Sequence, residues 1–157
     1  MLSIHENTES RRAIDADTDI TTHDAHDRRR EDRPLTTLWK MPFLSGALAH
    51  DPSCVVSGDR VILELTAENE YDQIVSVRLI FDGVQVFRRT ADPAKTLAMI
   101  EVAYNEVVDR GDTPWLREVT AETKARRRGQ PLRDLIICFD EAPCYEFVCT
   151  SFSLEDR

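Results

Sequence analysis

Two stretches of strict alternation constrain this chain more than any other feature. In Val61-Ile62-Leu63-Glu64-Leu65-Thr66-Ala67, the residues Val61, Leu63, Leu65 and Ala67 share one face. From Ile74 to Phe81, the residues Val75, Val77, Leu79 and Phe81 do the same. A period of two belongs to a strand with one face buried. Any fold of this chain must therefore supply a sheet whose apolar side is covered.

Asp82-Gly83 comes next, then Val84-Gln85-Val86-Phe87-Arg88. Asp-Gly between two alternating runs predicts a type I′ hairpin, since this pair tolerates positive φ at both central positions. The register of such a turn sets Phe81 opposite Val84 and Leu79 opposite Val86 on the covered side. Ile80 with Gln85 and Arg78 with Phe87 then form the wetter side.

Asp92-Pro93 reads as an N-cap followed by a first helical residue. The helix is expected to run to about Asp109, with Leu97, Ile100, Tyr104, Val107 and Val108 as its apolar stripe and Gly111 as its left-handed cap. Asp112-Thr113-Pro114 offers a second cap. It opens a shorter helix with Trp115, Leu116 and Val119 on the inner side, and Lys124, Arg126, Arg127 and Arg128 near its C-terminal end, where cations suit the dipole. Leu135, Ile137 and Phe139 alternate in a fourth strand. Asp140-Glu141-Ala142-Pro143 forms a turn, and Tyr145, Phe147 and Cys149 lead a fifth strand reaching about Ser153. Upstream, Leu35, Leu38, Trp39, Met41, Phe43, Leu44, Ala47 and Leu48 form an apolar lead-in without a clear period, which Pro42 keeps from being one long helix. It is expected to pack across the sheet.

The predicted class is α+β: a single five-stranded, mainly antiparallel sheet in the order β-β-β-α-α-β-β, with two helices on one face. Residues 35–157 form this domain. Residues 1–34 hold nine acids and six arginines but few large apolar side chains. They cannot bury enough surface to offset the entropy of ordering, so a disordered charged tail is expected. The chain's 157 residues leave little room for a second domain. No apolar run is long enough to span a membrane. Met1 to Ser10 lacks the basic and apolar regions of a secretory signal, so a cytoplasmic location is expected.

Cys54, Cys138, Cys144 and Cys149 form no C-x-x-C pair, so a zinc ribbon or knuckle is not indicated. Four reduced thiols are expected, with Cys138 and Cys149 as small apolar residues of strands. His50 lies four residues before Cys54, but Asp51-Pro52 between them argues for a turn instead of an aligned Cys–His pair. His23-Asp24-Ala25-His26-Asp27 carries metal-ligand types without a rigid frame. Asp134, Asp140, Glu141 and Glu146 lie around one hairpin, where the expected role is solubility and edge protection. Trp115 is expected to pack in the core. The sequence contains no phosphate loop, dinucleotide fingerprint or EF-hand loop. No catalytic residue, cofactor or metal is therefore assigned.

Function is expected to lie in non-enzymatic binding of a macromolecule, in the manner of an acidic inhibitor or immunity protein. The net charge of −9 would steer a basic protein partner towards it. Arg126, Arg127 and Arg128 are the candidate partner-binding residues. One alternative is a small-ligand-binding protein or hydrolytic enzyme using a cleft between helix and sheet. The other is a nucleic-acid-associated protein acting through Arg126 to Arg128 and the tail arginines.

Overall fold

The computed structural model describes residues 34–68, 71, 73–123 and 131–156. The charged segment before Pro34, with its three histidines, and the run Arg126 to Arg128 lie outside these residues. The described chain is α+β, with two α-helices and nine strands. In chain order they are β1 (Thr36–Lys40), β2 (Ser53–Ser57), β3 (Arg60–Glu68), β4 (Ile74–Asp82), β5 (Val86–Thr90), α1 (Leu97–Ala103), β6 (Glu106–Asp109), α2 (Pro114–Thr123), β7 (Arg133–Ile137), β8 (Cys144–Cys149) and β9 (Ser151–Asp156).

The strands make two antiparallel sheets, ordered β1-β6-β7-β8-β5 and β2-β3-β4-β9. This corrects the single five-stranded sheet. The two alternating runs do form β3 and β4, and they pair over their whole length from Val61↔Phe81 to Glu68↔Ile74. Their apolar face does not look up at helices, however. Val61, Leu63, Leu65, Val77, Leu79 and Phe81 pack against Val107, Leu135, Ile137, Tyr145, Phe147 and Cys149 of the other sheet. Phe81 and Phe147 stack with ring centroids 3.8 Å apart. Burying two or three fully enclosed aromatic and aliphatic side chains per strand, at about 1.5–3 kcal/mol each, is what joins the sheets.

The Asp82-Gly83 hairpin is also corrected, because β4 and β5 do not pair. β4 pairs with β9 and β5 pairs with β8. The chain leaves one sheet at Gly83 and enters the other, and the return crossing at Thr150 lies beside it. Thr150 donates through both its backbone N–H and its hydroxyl to the Asp82 carbonyl, each at 2.9 Å. Between the pairs Asp82↔Ser151 and Val86↔Val148, one arm has three residues (83 to 85) and the other has two (149 and 150). That one-residue excess is a bulge, and it bends a continuous two-stranded ribbon from sheet to sheet. Gly83 does take positive φ, at 63°. Asp82 does not, so no type I′ turn forms, and the glycine instead serves a change of sheet. Leu79 consequently faces Leu63 and Leu154, not Val86.

The long helix is the third correction. Asp92–Ala94 is a 3-10 turn, and α1 begins after Thr96, whose side chain accepts from the Met99 amide. Asn105 at φ 57° ends the helical path, and Val107 and Val108 belong to β6. The proposed stripe failed because Val107 and Val108 are buried on opposite faces of a strand. Leu97 is 70% exposed and Tyr104 44% exposed, whereas Met99, Val102 and Ala103 pack on the outer face of the five-stranded sheet, against Val108, Ile136, Cys138 and Cys144. α2 begins as expected: Thr113 Oγ1 accepts from the Leu116 amide at 3.1 Å, and Val119 is buried. The lead-in became β1, which pairs with β6, while Met41 enters the main core. Among the described residues, no helix is long and apolar enough to cross a membrane.

Candidate interaction edge

Four strands end the two sheets: β1, β5, β2 and β9. A terminal strand presents unpaired backbone donors and acceptors, and proteins usually protect it with charge. β1 carries Lys40, β5 carries Arg88 and Arg89, and β9 carries Glu155 and Asp156. β2, Ser-Cys-Val-Val-Ser, carries none, contains no proline, and is exposed throughout. Val55 is 50% and Val56 54% exposed.

β2 is held on its inner side by β3 in the register Ser53↔Glu64 to Ser57↔Arg60, closed by the turn at Gly58, φ 62°. Val55 continues a row formed by Ile62 and Ile80 on the outer face of the sheet. Charged rows flank it. Arg60 pairs with Asp82 at 2.5 Å, and Arg78 bridges Glu64 at 3.5 Å and Glu155 at 3.3 Å. Asp51 and Asp59 bracket the strand, and Asp51 reaches Arg89 of β5 at 3.5 Å.

The other ionisable groups singled out from sequence form structural networks. Asp134 is fully buried. It accepts from Arg110 Nε at 3.1 Å and Nη2 at 2.7 Å, and from the Thr113 hydroxyl. Arg110 Nη2 also reaches Glu146 Oε1 at 2.8 Å. Burial pushes the Asp134 carboxyl up, against the pull of Thr113 and Arg110. Asp134 and Glu146 are thus not solubilising edge residues, as expected from sequence, but lie inside the layer beside α2. Trp115 of α2 is half-buried, with the Arg88 guanidinium 4.2 Å above its ring. Sequence alternation placed Asp134 and Glu146 on the less apolar face of their strands. It carried no sign that a helix would cover that face.

Cys138 and Cys144 are joined in a disulfide, which corrects the expectation of four reduced thiols. Cys54 is exposed and Cys149 buried. Burial drives the Cys149 thiol up to about 12. His50 donates through Nδ1 to the Asp51 carbonyl at 2.8 Å and is exposed. Among the described residues, no three of His, Cys, Asp or Glu gather into a metal-binding group.

A cleft of about 600 Å³ opens between the segment after β1 and the C-terminal end of α1. Lys40, Met41, Phe43, Glu101, Tyr104 and Asn105 are among its walls. Lys40 pairs with Glu106 at 3.1 Å, and the Thr37 hydroxyl donates to the same carboxylate at 2.9 Å. Lys40 first and Thr37 second hold the Glu106 carboxyl below its usual range. Asn105 is buried and its Oδ1 has no hydrogen-bond partner among the described residues. A buried acceptor left this way costs about 1–3 kcal/mol.

Comparison with protein-family models, with curated proteins and with solved structures gives no match.

Proposed function

We propose that this chain is a non-enzymatic protein-interaction domain that takes an extended segment of another protein along β2. One observation carries the reading: β2 alone among the four terminal strands of the described residues has no charged side chain, and it exposes Val55 and Val56. Strand addition at such an edge gains main-chain hydrogen bonds, and the alternate side chains supply selectivity.

The flanking charges favour a partner of particular chemistry. If two copies paired antiparallel over all five residues of β2, Val55 would face Val55 and Asp51 would face Asp59 at both ends. Like charges placed opposite one another oppose that pairing. A segment with an apolar centre and Lys or Arg at each end meets the same acids favourably, and the net charge of −9 steers it inward.

Selection from a displayed library of nine-residue peptides tests this. The full chain is expected to enrich alternating apolar peptides with basic ends, and binding should weaken steeply with salt. The doubly substituted Val55→Lys/Val56→Lys chain should lose the enrichment while folding normally, because both positions are exposed. Equal enrichment by the substituted chain, or none by either, would overturn the proposal.

A further inference from the structure

The Cys138–Cys144 bond closes the turn between β7 and β8, and that turn touches both layers of the fold. Both cysteines are fully buried on the outer face of the five-stranded sheet, in one cluster with Met99, Val102 and Ala103 of α1. Phe139 and Ala142, inside the turn, belong to the core between the sheets. There Phe139 meets Tyr145 edge to face, with ring centroids 6.3 Å apart.

Two contacts carry this turn to the start of β2. Tyr145, next in the chain to Cys144, donates its hydroxyl to the Pro52 carbonyl at 3.3 Å. Both residues are buried, and Pro52 immediately precedes the exposed strand. A small cleft of about 150 Å³ has Leu48, His50 and Asp51 on one side and Asp140, Glu141 and Ala142 on the other. The turn and the entry to β2 are therefore walls of one space. Upstream, the Ala49 amide donates to Thr66 of β3 at 2.9 Å. Between Ala49 and Ser53 the entry crosses to the other sheet through the Tyr145 hydroxyl and through the Asp51–Arg89 pair at 3.5 Å. That pair is exposed and contributes little, so the buried hydroxyl is the stronger tie.

We infer that the Cys138–Cys144 bond is a redox switch for the β2 edge. Bonded, it holds the start of β8 and with it the Tyr145–Pro52 contact; reduced, it frees the turn and loosens β2 at its entry. An external dithiol supplies the two electrons. Its thiolate attacks one cysteine sulfur and the S–S bond breaks. The second sulfur of the dithiol then displaces the first from the mixed disulfide, and two protons end on Cys138 and Cys144. α1 controls access to the bond. It has seven residues, too few to be stable alone, so its local opening uncovers the sulfurs. The consequence for peptide capture rests on the reading of β2 given above, whereas the loosening of β2 does not.

The test is amide hydrogen exchange of the full chain with and without dithiothreitol. Reduction is expected to speed exchange about tenfold at residues 139–143 and at the β2 amides that pair with β3, leaving β4 and β9 unchanged. Cys138→Ala/Cys144→Ala should show the same pattern without reductant. If that variant does not fold, reduction of the unsubstituted chain carries the test. Tyr145→Phe in the bonded chain should loosen β2 alone. Thr96→Ala, which removes the cap of α1, should speed reduction about fivefold. Peptides selected on β2 should bind about tenfold more weakly to the reduced chain; if β2 selects none, exchange still decides the switch. Unchanged exchange in β2 on reduction, loss of protection spread over β3, β4 and β9, or Tyr145→Phe leaving β2 as it was would overturn the inference.

Discussion

Thr150 stands where a side chain on Gly83 would have to go. A Cβ built on Gly83 would lie 2.8 Å from Thr150 Cγ2, 3.0 Å from its Cβ and closer still to its Oγ1. The same threonine bonds the Asp82 carbonyl twice. The two points at which the chain changes sheets are therefore one packed joint, and its closeness depends on an absent side chain.

Gly83→Ala should destabilise the protein by roughly 2–4 kcal/mol, from positive φ and collision together. Thr150→Gly in the same chain should recover part of that loss. Urea unfolding of the two single variants and the double variant checks the coupling. Additive losses would mean that the joint does not pack as described.

Asp134→Ala should cost about 3 kcal/mol, because it strands the Thr113 hydroxyl and part of the Arg110 guanidinium in a buried layer. Asp134→Asn should behave differently with pH. Burial raises the Asp134 carboxyl, so its protonated form is favoured by folding. That contribution is present below the unfolded pKa and is lost as pH rises through the folded one. The advantage of wild type over Asp134→Asn should therefore shrink as pH rises above the ordinary carboxylate range. Glu106 shifts the other way, since Lys40 lowers it, and its contribution is lost as pH falls. Comparing wild type with Asp134→Asn cancels that opposing trend. An advantage that grows with pH would contradict the assignment.

Lys95 is the buried peg of the loop between Cys138 and Cys144. Its ammonium donates to the Phe139 carbonyl at 2.7 Å and the Ala142 carbonyl at 3.0 Å, and pairs with Asp92 at 2.5 Å. The side chain is only 5% exposed. Lys95→Met keeps the stem but leaves two carbonyls without their donor, at a cost of about 2–3 kcal/mol. Amide exchange should speed up across residues 139–143 before it does in β3 or β4. Uniform exchange would show that Lys95 does not hold this loop.

Thiol counting separates the four cysteines. Without reductant, the folded chain should react at Cys54 alone, because Cys54 is exposed while Cys149 is buried with its thiol raised to about 12. Unfolding without reductant should expose two thiols, and reduction four, given the Cys138–Cys144 bond. Four thiols on unfolding alone would mean that the bond does not form in solution.

Local pattern determined the elements whose neighbours do not matter to their conformation. Alternation in Val61 to Ala67 and Ile74 to Phe81 yields strands wherever one side is covered, and Thr113-Pro114 starts α2 because a cap acts within one turn. The α+β class follows from those elements. Pairing does not, because an alternating strand specifies that one face is buried without specifying by what. Asp82-Gly83 promised a hairpin from local turn preference. Asp82 instead stays in its strand, and the packing of Phe81 on Phe147 and the neighbouring crossing at Thr150 carry the chain at Gly83 into a second sheet. Val107 and Val108 fitted a helical stripe, yet they are buried on two faces of a strand, a distinction that spacing cannot make between short apolar runs. The bare edge of β2 and the unpartnered amide of Asn105 were invisible for the same reason. Each is defined by what does not lie beside it, and only long-range packing decides that.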